Sequence, residues 1–178
     1  MREEFRSHLD NGTWELAELS PGKKDITCTW VYKRKINADH STRFKARLVI
    51  RGFEQVPGID YQETFAPVAK FVTVPVLLAL ATYYDWEVEQ MDVKTAFLHP
   101  VLKEKVYMTI PEGYAEYSDM PSPDGSYRVL RLLKALYGLK QAPRAWYENI
   151  TQFFLEAGMS RSREDPSLFF SHDLIIVI

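Results

Sequence analysis

Alternation of apolar and polar positions predicts a β-hairpin early in the chain. Residues 27–36 and 43–51 are rich in β-branched and aromatic side chains, and the turn-like residues 37–41 separate them. Side chains alternate between the two faces of a strand, so one face of the second strand is largely cationic, with Arg43, Lys45, Arg47, Val49 and Arg51. The opposite face is apolar, with Phe44, Ala46, Leu48 and Ile50.

The middle of the chain predicts a buried helix followed by a strand. Residues 73–86 form an apolar run in which Thr73 is placed to cap the helix and Pro75 suits its first turn. Residues 87–93 alternate as a strand does, and this places Asp92 at the strand end. A short helical turn at residues 95–99 and a strand at 106–110 complete this region.

The last third of the chain predicts one long helix and two short strands. A helix is expected to begin at Pro143, with an apolar stripe at helical spacing and a stop at Gly158. Strands are expected at residues 168–170 and 174–178, and a surface loop at 117–126. Residues 174–178 are apolar throughout and belong inside a sheet, so we expect the sequence to end in mid-domain.

Composition suits a globular protein with a strongly uneven charge distribution. The chain has 178 residues, is 46% hydrophobic and carries a net charge of −2. Residues 33–51 nevertheless contain seven Lys and Arg against one Asp, and residues 128–144 contain five basic residues and no acid. Such segments are typical of phosphate-binding surfaces and also of solvated faces, and both interpretations stay open here.

Several functional classes are disfavoured. The one cysteine cannot form an intramolecular disulfide, the start of the chain has no apolar signal region, and no apolar run is long enough to cross a bilayer. We therefore expect an intracellular protein of the cytoplasm or nucleus, neither secreted nor membrane-bound. Phosphate-binding glycine loops and serine-hydrolase motifs are absent from the sequence. The histidines lack metal-ligand spacing and are expected at the surface or in turns: His8, His40, His99 and His172.

Three features suggest phosphate chemistry. Asp92 at a strand end is placed to reach a cleft, and paired magnesium ions need such carboxylates, although a single Asp is also an ordinary solvated or capping residue. The turn at residues 136–147 opens a helix, where Lys140 and Arg144 would attract phosphates; an ordinary capped helix explains it equally well. The cations Arg43 and Arg51 on the strand face would bind a nucleic-acid backbone, or would merely face water.

The sequence resembles the reverse transcriptase domain of copia-type retrotransposons over residues 13–178. The resemblance rests on these segments, in the family's order: WVYKRKINAD, RFKARLVIRGFEQVPGIDYQETFAPVAK, DWEVEQMDVKTAFLH, VYMTIPEGY, LYGLKQAPRAWY and DPSLFF. It implies an α+β right-hand polymerase, with fingers and a partial palm whose antiparallel sheet packs on helices. Residues 13–90 would be mostly fingers, and residues 87–178 palm with returning fingers elements, while the thumb and RNase H would be absent.

The resemblance also implies roles for individual residues. Asp92 is similar to the first catalytic carboxylate, which binds two magnesium ions, or manganese in their place, with the Val93 carbonyl as a further ligand. Phe97 resembles the aromatic gate that rejects a 2′-hydroxyl, and Gln141 the glutamine that contacts the incoming nucleotide. The cations that hold its triphosphate would be Arg47 and Lys45. The implied partners are an RNA template, a DNA primer and deoxynucleoside triphosphates.

Three departures from the family pattern shape the functional expectation. The Tyr-Val-Asp-Asp turn that follows a strand like 174–178 in the family is absent, Pro100-Val101 replaces a Gly-Asp turn, and the usual glycine near His40 is missing. We therefore expect a fragment that is inactive alone, or active only when a downstream polyprotein segment completes it. Two alternatives are a non-catalytic nucleic-acid-binding remnant of a decayed or domesticated element, and a poorly folded, aggregation-prone product.

Overall fold

The chain contains both helices and mainly antiparallel sheets, with runs of strands that no helix interrupts, which confirms the expected α+β class. The computed structural model describes residues 1–117 and 128–178. They form two units: unit 1 comprises Met1–Thr64 and Thr95–Trp146, and unit 2 comprises Phe65–Lys94 and Tyr147–Ile178. Tyr117 is the last residue of a short helix, α3 (Tyr114–Tyr117), and the rest of the predicted loop at 117–126 lies outside the described residues.

Unit 1 is built on a four-stranded sheet and a separate hairpin. Its sheet strands are β1 (Trp14–Glu18), β2 (Asp25–Ile26), β5 (Val101–Met108) and β6 (Arg128–Lys134); the hairpin strands are β3 (Cys28–Ile36) and β4 (Thr42–Ile50). The sheet order is β1-β6-β5-β2, antiparallel except where β2 runs parallel to β5. The predicted hairpin and the strand at 106–110 are thereby confirmed, the latter as part of β5.

Helix α1 (Arg2–Asp10), which the sequence analysis missed, closes the core of unit 1. Its Phe5 is fully buried and meets Trp14 and Tyr114 edge to face, at centroid distances of 5.7 and 6.0 Å. His8 on the same helix is also fully buried, and burial lowers its pKa to about 4, so the imidazole is neutral at pH 7. The expectation of a surface or turn position was therefore wrong for His8, because α1 was not predicted and the side of it that faces the core, with Phe5 and His8, was not recognised.

The hairpin register confirms the predicted division into two faces. Lys33 lies opposite Lys45 and Lys35 opposite Arg43, so these four cations share one face, whereas Arg34 lies opposite Phe44 on the other. On the other face Leu48 and Ile50 enter the core of unit 1. The connecting turn places His40 at φ 62°, a left-handed conformation that favours glycine.

Unit 2 contains helix α2 (Thr73–Tyr84) and a three-stranded antiparallel sheet. The sheet order is β7 (Ser160–Arg161), β8 (Leu168–Phe170) and β9 (Ile175–Val177), and its small core is formed by Phe154, Met159 and Phe169. Helix α4 (Ala142–Glu156) begins in unit 1 and continues into unit 2, and Gly158 follows it at φ 82°. The long helix, its stop and both terminal strands are confirmed, but β9 is an edge strand of this sheet and not the internal strand that was expected.

Three expectations for residues 73–93 were wrong. Helix α2 forms but is largely exposed, and only Ala81 is buried in it. Thr73 is the first helical residue and caps nothing with its side chain; its hydroxyl donates to Asp165 instead. Residues 87–93 form no strand: none of the strands within residues 1–117 and 128–178 pairs with them, and alternation alone supplies no hydrogen bonds.

Asp165 organises the start of α2 within unit 2. Its buried carboxylate accepts hydrogen bonds from the Thr73 hydroxyl, from the Lys70 N–H at 2.9 Å and from the Ser167 N–H at 3.0 Å. These donors stabilise the charged form, and the Thr73 hydroxyl contributes most to holding the pKa of Asp165 below its usual value. The DPSLFF segment, through Asp165, thus stabilises the start of α2.

We expect Asp165→Asn to lower the free energy of unfolding of unit 2 by about 2 kcal/mol at pH 7, since hydrogen bonds to a charged group are lost. The folded pKa is depressed, so this stabilisation is complete above about pH 4 and fades as pH falls through the folded pKa. Thermal unfolding of wild type, Asp165→Asn and the exposed neighbour control Glu164→Gln, from pH 7 to pH 3, checks this. A difference that persists unchanged at pH 3 would contradict it.

Candidate functional site

The cationic face of the hairpin concentrates like charges. Lys45 and Arg47 are half-buried, and the remaining cations of this face, Lys33, Lys35 and Arg43, are exposed. Like charges directly opposite one another destabilise an antiparallel pair, so two cationic cross-strand pairs cost stability unless an anion lies over them. The face is therefore suited to a polyanion.

The opposite face near the hairpin tip is aromatic and solvent-exposed. Tyr32 is 63% and Phe44 79% exposed. Both line an open cavity of about 380 Å³, together with Met1, Lys33, Arg34, Lys45 and Ala46. Aromatic rings among cations are the combination that single-stranded nucleic acids bind through base stacking and phosphate contacts.

A second segment, the turn after β6, packs directly on the end of β4. The Ile50 N–H donates to the Tyr137 carbonyl at 2.9 Å. The Arg47 guanidinium lies over the Tyr137 ring, 5.2 Å from its centroid. The Phe97 ring meets the same Tyr137 ring edge to face, with centroids 5.0 Å apart and planes at 88°. Arg47 and Phe97, which were predicted as site residues, thus both contact Tyr137, which was not predicted.

Phe97 is held by a strained turn. It lies in the 3-10 helix Ala96–Leu98, whose Leu98 is buried, and Thr95 just before it has φ 52°. A β-branched residue in the left-handed region is unusual and costs free energy that the surrounding structure must supply. The Ala135 N–H donates to the Pro100 carbonyl at 3.0 Å and ties the far side of the turn to the end of β6.

Gln141 belongs to a buried amide network that sequence reasoning missed. Gln55 Nε2 donates to Gln141 Oε1 at 2.9 Å, Gln141 Nε2 donates to the Asp60 carbonyl at 3.0 Å, and the Lys140 N–H donates to Gln55 Oε1 at 2.8 Å. The network fixes residues 140–141 against residues 55–60. Both are within the quoted family-like segments, but their pairing across 86 positions leaves no local pattern.

The other predicted cations have partners within unit 1. Lys140 lies over the Tyr61 ring at 5.6 Å, and Arg144 forms an ion pair with Glu63. Arg51 reaches the Thr27 hydroxyl at 3.5 Å. The pairing of Arg144 with Glu63 reduces the positive charge that this residue offers to a phosphate.

Asp92 and Val93 belong to unit 2 and are exposed, in a segment without regular structure. A carboxylate and a carbonyl are the oxygen ligands that magnesium prefers, but two ions need more than one carboxylate. Across residues 1–117 and 128–178, no three His, Cys, Asp or Glu side chains cluster as metal ligands do. The described residues therefore supply part of such a site at most.

The predicted nucleotide-binding residues and the predicted metal ligands lie in different units. Lys45, Arg47, Phe97 and Gln141 are in unit 1, where Arg47 and Phe97 both contact the Tyr137 ring, whereas Asp92 and Val93 are in unit 2.

In the part of the chain that is described, no helix has the length and apolar character needed to span a membrane.

Comparison with known proteins gives a consistent result. The family model described as reverse transcriptase (RNA-dependent DNA polymerase) matches residues 11–178. The chain is 45% identical, over 96% of its length, to the retrovirus-related Pol polyprotein from transposon TNT 1-94 of Nicotiana tabacum, and covers 12% of that protein. It is 43% identical over 95% of its length to the corresponding polyprotein from transposon RE2 of Arabidopsis thaliana, covering 11% of it.

A more distant relative is the transposon Ty1-ER2 Gag-Pol polyprotein of Saccharomyces cerevisiae, 28% identical over 93% of the chain and covered to 9%. The chain therefore spans about a tenth of the length of the curated relatives that it matches. No solved structure matches it significantly.

Proposed function

Because the chain belongs to the reverse transcriptase (RNA-dependent DNA polymerase) family, we propose that its unit 1 binds the incoming deoxynucleotide and the nucleic acid of a copia-type reverse transcriptase. The observation that carries this proposal is the cationic hairpin face whose Arg47 shares the Tyr137 ring with Phe97. The enzyme would act within a Pol polyprotein of the kind that the relatives represent.

The proposed nucleotide contacts follow the order of groups along a nucleotide. Arg47 and Lys45 bind the triphosphate, and Phe97 lies against the sugar and excludes a 2′-hydroxyl. Gln141 contacts the nucleotide from the turn that its amide network fixes. The contact between Arg47 and Tyr137 supports this, because it holds a guanidinium and the Phe97 ring beside one another.

The chemistry in the complete enzyme would be attack of a primer 3′-hydroxyl on the α-phosphate, with release of pyrophosphate. Reverse transcriptases generally use divalent metal ions such as magnesium. Asp92 and the carbonyl of Val93 would be ligands, with further carboxylates from sequence outside this chain. In this proposal residues 13–90 are mostly fingers, and 87–178 are palm with returning fingers elements.

RNA template and DNA primer would contact the remaining cations, Arg43, Arg51, Lys140 and Arg144. Phosphate contacts of this kind dominate nucleic-acid affinity, whatever the sequence bound. The family match favours this polymerase function over the alternative of a non-catalytic binding remnant. The intracellular setting of retrotransposon proteins agrees with these partners.

Removing two cations from the hairpin face tests the binding part of the proposal. We expect Arg43→Ala with Arg51→Ala to weaken binding of an RNA–DNA duplex by about 10-fold at 100 mM salt, and to reduce the slope of log affinity against log salt by about 2. Fluorescence anisotropy with a labelled duplex, repeated at several salt concentrations, measures both quantities.

The matched control removes two exposed lysines of unit 1 that lie off the hairpin, Lys24→Ala with Lys105→Ala. It lowers the net charge equally, so it separates a local contact from a general charge effect. Equal losses of affinity in the two double variants would contradict a binding surface on the hairpin.

A further inference from the structure

We propose that Tyr137 is a positioning residue that couples triphosphate binding to sugar selection. The inference rests on the proposed nucleotide site, and it assigns a role to a side chain outside the set that the sequence singled out. Its basis is that one ring contacts both Arg47 and Phe97, at 5.2 and 5.0 Å.

The Arg47 contact is a cation–π interaction that restricts a flexible cation. A guanidinium over an aromatic face is attracted by the negative charge of the ring's π system, and it keeps its N–H groups available at its edge. An arginine held in this way loses less conformational freedom when a phosphate binds, so its affinity for the phosphate is higher than that of a free side chain.

The Phe97 contact limits the position of the other ring. At an interplanar angle of 88° the two rings meet in the edge-to-face geometry that aromatic pairs prefer. Phe97 therefore cannot move toward Tyr137. A gate that rejects a single hydroxyl needs a fixed wall, because a ring free to retreat would admit the larger sugar.

Tyr137 itself is fixed by its backbone. Its carbonyl accepts the Ile50 N–H at 2.9 Å, and the next residue, Gly138, lies so close to β4 that a Cβ there would be 2.0 Å from the Ile50 carbonyl oxygen. The ring is thus anchored to the strand that carries Arg47. The distance between the cation and the gate is set by one side chain on a rigid support.

The test measures binding of dATP and of ATP to the full chain in magnesium, by isothermal titration, because these ligands differ only in the 2′-hydroxyl. We expect Tyr137→Leu to weaken dATP binding by about 5-fold and to reduce the preference for dATP over ATP by a similar factor. Tyr137→Phe keeps the ring, so it should recover most of both losses. Tyr83→Leu, an exposed tyrosine of unit 2, is the control.

A double-variant cycle separates this role from a general packing role. If Tyr137 acts through Arg47, Tyr137→Leu in an Arg47→Ala background should cost little further dATP affinity. Suppose that Arg47→Ala weakens dATP binding and Phe97→Ala reduces the preference for dATP, but Tyr137→Leu changes neither quantity. That result would overturn the role of Tyr137 and leave the proposed nucleotide site standing. Wild-type chain that binds neither nucleotide would overturn the proposed nucleotide site, and the inference with it.

Discussion

Asp92→Asn is expected to lower primer extension by about three orders of magnitude. Asparagine keeps the shape of the side chain but removes the charge that binds the metal ions, and these ions contribute several kcal/mol of transition-state stabilisation; about 4 kcal/mol corresponds to about 10³ in rate. The assay uses an RNA template, a DNA primer, deoxynucleotides and magnesium. The polypeptide joins this chain to the rest of the Pol polyprotein from transposon TNT 1-94 of Nicotiana tabacum, in place of that protein's matched segment.

Glu89→Gln is the matched control for Asp92→Asn. Glu89 is an exposed carboxylate in the same irregular segment, so its neutralisation changes the local charge equally without touching the proposed ligand. Equal rates for Asp92→Asn and Glu89→Gln would contradict a catalytic role for Asp92. A joined polypeptide that folds and binds template but never extends primer would instead favour the non-catalytic binding remnant.

The hairpin was predictable in detail because its information is local. Alternation fixes which side chains share a face, and a turn of five residues brings the two strands into register. The cation pairs Lys33–Lys45 and Lys35–Arg43 then follow from strand pairing alone. The helix at Ala142–Glu156 was predictable for the same reason, since its apolar stripe and stop at Gly158 are contiguous in sequence.

The wrong expectations share a dependence on distant partners. An apolar run such as α2 specifies a helix, but whether it is buried depends on what packs against it. The role of Asp165 was not predicted, because two of its three donors, Thr73 and Lys70, lie 92 and 95 residues earlier in the chain. His8 was assigned to the surface because the helix that buries it has only two buried residues, too few to show a clear stripe.

The sequence proposes the residues of the candidate site, whose roles stay predictions, but it gives no indication of their arrangement. The family-like segments identify Arg47, Phe97 and Gln141, but give no reason to place Arg47 and Phe97 on one aromatic ring. The amide pair Gln55–Gln141 likewise joins two segments far apart in sequence. Local patterns select candidates, whereas pairing across the fold decides which of them act together.

The backbones of Gly52 and Gly138 lie so close together that there is no room for a side chain at Gly52. A Cβ on Gly52 would lie 2.0 Å from the Gly138 carbonyl oxygen, and because both partners are backbone there is no flexible side chain to move aside. The backbone of Gly52 is not left-handed, so the contact alone is responsible for the expected effect. We expect Gly52→Ala to lower the free energy of unfolding of unit 1 by about 3 kcal/mol or more.

Gly22→Ala is the control for Gly52→Ala, because it adds a Cβ to a glycine that has no close neighbour. Gly22 has φ +77° but no heavy atom within 4 Å of the added Cβ, so its replacement costs only the left-handed strain of about 1–2 kcal/mol. Denaturant unfolding of both variants measures the difference. If Gly52→Ala costs no more than Gly22→Ala, the two segments can separate freely. Tyr137, whose carbonyl bonds Ile50 beside this contact, would then not be held rigidly enough to position Arg47 and Phe97.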